Sequence, residues 1–268
     1  MSKKLIRTLV ASAALLATVA TTGITTHAAS KTTYKSELVK KNVLTVGTEG
    51  EYKPYAYRKD GKMTGFEVDF AKAVGKKIGV KVKIVPTKWD SLIAGVGSKR
   101  FDIAVDNITS TPARKKQYAF SNTYLYSPYI LITKSGSAIK TIQDVKGKNI
   151  IAGTGTDNAV VAQKFGAKLI PNGNFSTTLS MIQNGRGEGT VNAVTAWNDY
   201  KKSKSTKGFT AKQIPAKDAA PAEIGALMSK KSPKLRKAIN KAIKQLQDDG
   251  TLKKLSTKYL GSDLTEKE

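Results

Sequence analysis

The order of elements along the chain predicts an α/β fold of two lobes, each a mostly parallel sheet flanked by helices. Three observations carry this. Short apolar strand runs alternate with amphipathic helical stretches, the order that builds parallel β-α-β units. The alternation occurs twice, the second time from Lys140 onward. In both halves the strands run into Gly/Thr/Asn-rich turns, where open α/β sheets place ligands. Two such units facing each other make a cleft.

In the first half, 43–47 reads as a strand. The stretch 65–78 reads as a helix, with Phe66, Phe70, Ala73, Val74 and Ile78 on one face before a Gly79 stop. A strand at 80–85, a short helix at 89–96, and strands at 101–105 and 129–133 follow. In the second half, strands at 149–152, 168–171 and 190–194 alternate with helices at 157–165, 177–184 and around Trp197. Ser232-Pro233 then opens a helix with Leu235, Ile239, Ile243 and Leu246 on one face, stopped by Gly250, and a shorter helix carries Leu252, Leu255 and Tyr259. The predicted division is a leader 1–28, a flexible polar lead-in 29–41, a first lobe 42–127, a second lobe 128–224 and a C-terminal return to the first lobe, 225–268.

The leader reading rests on Lys3, Lys4 and Arg7 before an apolar run from Leu9 to Ala20, with Thr26-His27-Ala28 fitting cleavage after Ala28. Export is therefore expected, and no later stretch is apolar enough to span a membrane. The chain has no cysteine and one histidine, His27, inside the leader. This excludes a thiol nucleophile, a disulfide and a lipid-bearing cysteine, and argues against Ser-His-Asp and Cys-His hydrolases. No metal or cofactor is expected, and the chain reads as a binding protein rather than an enzyme. Without the three leader cations, 43 Lys and Arg stand against 20 acids, a net +23. That field attracts polyanions. For an exported chain these are wall polymers and other surface polyanions. Nucleic acid is not expected, because the lysines are scattered without Arg-aromatic clustering.

Arg114 is the most informative single residue. It lies two residues inside a helix opened by Thr111-Pro112, just beyond the 101–105 strand and the polar stretch 106–110. A helix N-terminus favours anions, so a cation there stands at the wrong end of the dipole. A solvated surface arginine leaves that placement unexplained, whereas a guanidinium fork aimed at a carboxylate accounts for it.

Several segments, taken in order, resemble the extracellular solute-binding proteins of polar amino-acid ABC importers (family 3, with the type II periplasmic-binding-protein fold). They are Gly65-Phe66-Glu67-Val68-Asp69-Phe70, Trp89-Asp90-Ser91-Leu92-Ile93, Phe101-Asp102-Ile103-Ala104, Thr109 to Arg114, and Asp249-Gly250-Thr251-Leu252. The resemblance implies two lobes joined by two hinge crossovers, near 126–133 and 218–227, that close over one amino acid. It implies that Tyr52 stacks on the ligand in a first loop shared with Tyr55, that Glu49 contacts its amino or side-chain group, and that Trp89 forms an apolar wall. Asn107 and Thr109 would meet the ammonium and Arg114 the α-carboxylate, with N–H groups of Gly155-Thr156-Asp157 completing the carboxylate site. Ordinary core packing is the alternative for Tyr52, Tyr55 and Trp89, and a plain tight turn for Gly153 and Gly155. The physical need is independent of the family: a zwitterion requires a cation and N–H donors at one end and acceptors at the other, since an unpaired buried charge costs several kcal/mol.

One departure matters. Ala193 stands where many members of the family carry an aspartate for the ammonium, leaving Asn192, Asp157 or Glu49 as candidates. The segment Gly189-Thr190-Val191-Asn192 followed by Ala196-Trp197 resembles the cystine-binding branch, including strongly basic surface proteins of Gram-positive bacteria. L-cystine is accordingly the first ligand expected, with a membrane permease as partner. The chain is expected to be a non-lipidated monomer, secreted and held at the cell surface by anionic wall polymers. The competing classes are a wall-associated adhesin, which explains the charge without a ligand, and a dehydratase on the same scaffold, with Glu49 or Glu188 as general acid.

Overall fold

The computed structural model describes residues 33–267. The leader, its cleavage point and residues 29–32 lie outside them. Thr33–Glu37, expected within a flexible lead-in, is instead a 3-10 turn. Tyr34 is buried in the core and its hydroxyl donates to Ile78 O. The Glu37 carboxylate accepts the Lys234 and Leu235 N–H groups (3.3 and 2.7 Å) at the start of a long C-terminal helix, where an acid complements the helix dipole.

The chain continues through β1 (Val43–Thr48), a small antiparallel meander of β2 (Glu51–Tyr52), β3 (Ala56–Lys59) and β4 (Lys62–Thr64), then α1 (Phe66–Ile78), β5 (Lys81–Pro86), α2 (Trp89–Gly97), β6 (Ile103–Ala104), α3 (Pro112–Gln117), β7 (Ala119–Phe120) and β8 (Leu125–Ser127). It goes on through β9 (Tyr129–Lys134), β10 (Asn149–Ala152), α4 (Asp157–Lys164), β11 (Lys168–Pro171), α5 (Phe175–Gln183), β12 (Gly189–Ala193), α6 (Val194–Ser203) and β13 (Phe209–Gln213). It ends with β14 (Ala222–Ile224), β15 (Leu227–Met228), α7 (Pro233–Asp248) and α8 (Thr251–Leu260).

Two five-stranded sheets result, in the orders β5-β1-β6-β15-β7 and β11-β10-β12-β9-β13. In each, four strands point one way and one runs against them, β15 in the first sheet and β9 in the second. The reversed strands directly follow β14 and β8, which pair antiparallel with each other, Leu125 opposite Ile224 and Ser127 opposite Ala222. These are the two hinge crossovers. Strands ending at the cleft deliver their loops to it, so chain that arrives through the cleft must run away from it and enters the next sheet reversed.

Local sequence explains the elements that carry the cleft. Gly65 caps α1 at φ 120°, and a Cβ there would come within 2.3 Å of Tyr55 O. Only glycine allows that approach. Phe66 and Glu67 then donate to Pro54 O and Tyr55 O (3.1 and 2.9 Å), pinning the first loop to the helix start. Helix α1 buries Phe66, Val68, Phe70 and Val74, and α7 packs against it with Leu235, Ile239, Ile243 and Leu246, all 0–1 % exposed. Burial of each such side chain contributes about 1.5–3 kcal/mol, which holds the C-terminal segment on the first sheet. The strand expected over 101–105 shrinks to two residues because Asp102 turns inward. Its carboxylate accepts from the Thr45 N–H (2.7 Å), the Thr45 hydroxyl (2.6 Å) and the Val39 N–H (2.7 Å).

Candidate functional site

The strands that point at the cleft each end in polar residues. β1 leads to Glu49, β6 to Asp106 and Asn107, β10 to the Gly153–Asp157 loop, and β12 carries Asn192 near its end. With Tyr52, Trp89, Ser127, Tyr129 and residues of the β11–α5 loop they line a cavity of about 70 Å³ between the two sheets.

Besides the buried Tyr55–Thr195 bond, four side-chain hydrogen bonds cross the cleft among the described residues. Tyr52 Oη donates to Asn192 Oδ1 (2.8 Å), Trp89 Nε1 to Thr154 O (3.0 Å), Thr109 Oγ1 to Asp157 Oδ1 (2.6 Å) and Arg114 Nη2 to Gly155 O (2.9 Å). Arg114 Nη1 also donates to Thr109 O (2.9 Å), and the guanidinium lies over the Trp89 ring, with Cζ 5.5 Å from its centroid. Burial lowers the pKa of Arg114, against the field of Asp157, so its charge is held where water screens it little. The α3 start is built as its sequence implies: Thr111 Oγ1 caps the Arg114 N–H (3.2 Å) and Pro112 occupies the first helical position.

Of the residues singled out from the sequence, Glu49, Tyr52, Trp89, Asn107, Thr109, Thr156, Asp157 and Asn192 line the cavity. Three do not. Tyr55 stands behind the wall, fully buried, its hydroxyl bonded to Thr195 and Ser127. It is a packing residue rather than a contact, because Pro54 O and Tyr55 O are held by α1. Gly155 lies outside the cavity lining and presents its carbonyl to Arg114. Arg114 sits beside the cavity, bonded to its wall. At the start of α4, Thr156 caps the Ala159 N–H (3.2 Å), and helix geometry leaves the N–H groups of Asp157 and Asn158 without intrahelical acceptors.

Each candidate for an ammonium partner already holds hydrogen bonds. Both oxygens of Asp157 are engaged, one by the Thr109 hydroxyl and the other by the Tyr129 hydroxyl. Asn192 Oδ1 accepts from Tyr52 and from the Ala193 N–H (2.8 Å). Glu49 is engaged too, by the Trp89 N–H and Asp106; what sets it apart is that Asp106, a second carboxyl that the sequence reading passed over, stands beside it. Asp106 is 2 % exposed and accepts the Thr48 hydroxyl and the Glu49 N–H (both 3.1 Å). Burial, and then the charge of Glu49, push the Asp106 carboxyl well above its ordinary value. Burial also raises Glu49, against hydrogen bonds from the Trp89 N–H and from Asp106. Two such carboxyl groups side by side favour holding one proton between them. Asn107 adds a third acceptor: it sits at φ 53°, a region asparagine tolerates, with its N–H on Glu67 Oε1 (2.9 Å) and its buried Oδ1 without a protein partner. The only sequence signal for Asp106 was its position one residue after a buried strand run.

Residues 44–262 match the model of the bacterial extracellular solute-binding proteins, family 3. The L-cystine-binding protein TcyA of Bacillus subtilis (strain 168) is 36% identical over 233 residues, covering 86% of this chain and 85% of its own. Among solved structures, one from work on glutathione import via GshT and the cystine ABC importer TcyBC of Streptococcus mutans superposes with a TM-score of 0.78 at 26% identity, over 84% of this chain and 97% of that one. The ancestral amino-acid-binding protein AncCDT-1, described as a precursor of cyclohexadienyl dehydratase, superposes with a TM-score of 0.74 at 31% identity, over 84% and 98%. With its sequence matched from the first sheet strand to beyond the last helix, this chain belongs to the bacterial extracellular solute-binding proteins of family 3.

Proposed function

We propose that this protein is the amino-acid-capturing component of an ABC importer, closing on one zwitterion and delivering it to a membrane permease, with L-cystine as the ligand. The observation that carries the reading is the polarity of the cavity. Arg114 and the free N–H groups of α4 stand on one side. Glu49, Asp106 and the unpartnered Asn107 Oδ1 stand on another. An α-amino acid laid between them pairs both of its charges, and Glu49 with Asp106 replaces the acid missing at Ala193. Cystine is favoured over other amino acids by the likeness to TcyA and by the Asn192 to Trp197 segment. Isothermal calorimetry with a panel of amino acids tests this, with L-cystine expected to bind at micromolar affinity or tighter, about 8 kcal/mol. Saturable binding of glutamine or arginine with no cystine heat would discard cystine and keep the importer role.

The Glu49–Asp106 pair also supports a second reading, since a carboxyl held protonated is what a dehydratase on this scaffold requires. The family match and the amino-acid-binding relatives favour binding. Product analysis after incubation with a prephenate-like acid separates the two. For localisation, the +23 net charge supports retention of a monomer at the cell surface by anionic wall polymers. Concentrated salt, which shortens screening to about 3 Å, is expected to release the protein from intact cells. Release only by detergent would assign retention to a membrane partner.

A further inference from the structure

The excess of cations is not spread evenly along the chain. Residues 107–143 contain no acid, and residues 224–247 carry Lys or Arg at seven positions with no acid among them. The fold joins these two stretches, because β15 pairs antiparallel with β7, Leu227 opposite Phe120 and Met228 opposite Ala119. The Ser121 N–H donates to Ala226 O (2.9 Å) and the Asn122 N–H to Asn240 Oδ1 (2.8 Å), which holds the β7 edge against α7. Between them lies an open groove of about 760 Å³ that shares no lining residue with the cavity between the sheets. Its charged lining is Lys115, Lys230 and Arg236, without an acid. Lys230 Nζ donates to Lys116 O (2.7 Å), tying one stretch to the other. The Lys115 ammonium and the Arg236 guanidinium hold no ion pair or hydrogen bond among the described residues. Glu37 is engaged by the Lys234 and Leu235 N–H groups, and Glu223, whose carbonyl O accepts the Ser110 N–H (2.9 Å), lies outside the lining.

We propose that this groove is a binding site for a polyol phosphate polymer, a chain of phosphodiesters joined by short hydroxylated carbon units. The proposal rests on the surface-retention reading above and gives it one location. Charge sets the class. Three cations without a counter-ion in one concave surface build a local positive potential that a lone lysine in water does not. A repeating anion meets several of them at once, whereas a free inorganic anion gains nothing from the length of the groove. Arg236 offers a fork for two phosphate oxygens. Lys115 and Lys230 act as point charges, and Lys230 has donors to spare after its bond to Lys116 O. The neutral lining sets the rest of the partner. Ser110, Asn122 and Thr123 carry hydroxyl and amide groups that suit the hydroxyls of the linking units, and Tyr118 and Phe120 give their carbons an apolar wall.

The test measures binding of synthetic poly(glycerol phosphate) to the full mature protein by calorimetry at low ionic strength. The groove variant Lys115→Gln/Lys230→Gln/Arg236→Gln is compared with Lys164→Gln/Lys201→Gln/Lys207→Gln, which removes the same charge from exposed positions beside the second sheet. The groove variant should lose at least about tenfold in affinity and the control less than about threefold, with urea unfolding of both close to wild type. Should the triple groove variant unfold early, Arg236→Gln alone, at an exposed position, should still lose about threefold while Arg236→Lys recovers part of it. Equal loss in the groove and control variants overturns the groove and leaves retention by overall charge standing. No binding of the polymer by folded wild type removes that retention reading, and the groove falls with it. Tighter binding of heparin than of poly(glycerol phosphate), lost in the same groove variant, assigns the groove to sulfated glycans and overturns the phosphate class proposed.

Discussion

Replacing Arg114 by alanine tests the site more sharply than any other change. The guanidinium holds two hydrogen bonds of 2.9 Å, to Thr109 O in its own lobe and to Gly155 O across the cleft, and covers the Trp89 ring. If it pairs with the ligand carboxylate, its removal leaves a desolvated anion facing only helix N–H groups, and truncating one partner of such a pair costs about 2–5 kcal/mol. That is a loss of about 30-fold to 4,000-fold in affinity. Free-state stability should respond less, because water at the edge of the cleft can replace the donor to the two carbonyls, leaving a net loss of about 0.5–1.5 kcal/mol for each bond. Arg114→Lys should recover part of the affinity, since a point charge cannot reproduce the fork. Calorimetry with the cognate amino acid, beside urea unfolding without ligand, gives both numbers. Wild-type affinity in Arg114→Ala would show that the arginine only latches the lobes, and the carboxylate assignment would be withdrawn.

Two further outcomes depend on pH. Glu49 and Asp106 are both raised from ordinary carboxylate values, and an ammonium favours their ionised forms, so binding releases a proton. Affinity should therefore strengthen as pH rises from the ordinary carboxylate range, by at most about tenfold per unit for one proton; Asp106→Asn should flatten that slope, and a wild-type affinity constant from pH 5 to 8 would contradict the pairing. Glu67, fully buried and accepting from the Asn107 N–H and the Tyr124 hydroxyl (2.9 and 2.8 Å), is pushed up from 4.5 to about 7 by burial. The unfolded chain ionises first as pH rises, so wild type should lose up to about 3 kcal/mol of stability between pH 4.5 and 7. Urea unfolding of Glu67→Gln across the same range should lack that share of the decline, whatever its absolute stability.

Sequence alone determined the alternation of elements, because burial periodicity and caps are local. The faces of α1 and α7, the Gly65 start and the Thr111-Pro112 cap could be read residue by residue, and the built elements use those same residues. It also determined which loops meet at the cleft, since a parallel strand must end where its loop turns. Tertiary structure decided what each loop residue does there. Tyr52 and Tyr55 are three apart and chemically alike, but α1 pins the Tyr55 backbone and directs its ring inward, while Tyr52 reaches Asn192 across the cleft. Asp157 looked available for an ammonium until Thr109 and Tyr129, from segments 48 and 28 residues away in sequence, took its oxygens. Asp106 acquired significance only because β1 and β6 are paired and bring it against Glu49. The strands β7, β13 and β15 escaped sequence reading for the same reason: two of them are two residues long, and all are stabilised by partners distant in the chain. A local pattern records burial and backbone preference, but the partner of a polar atom depends on which distant segment the fold brings within 3 Å, and that information is not local.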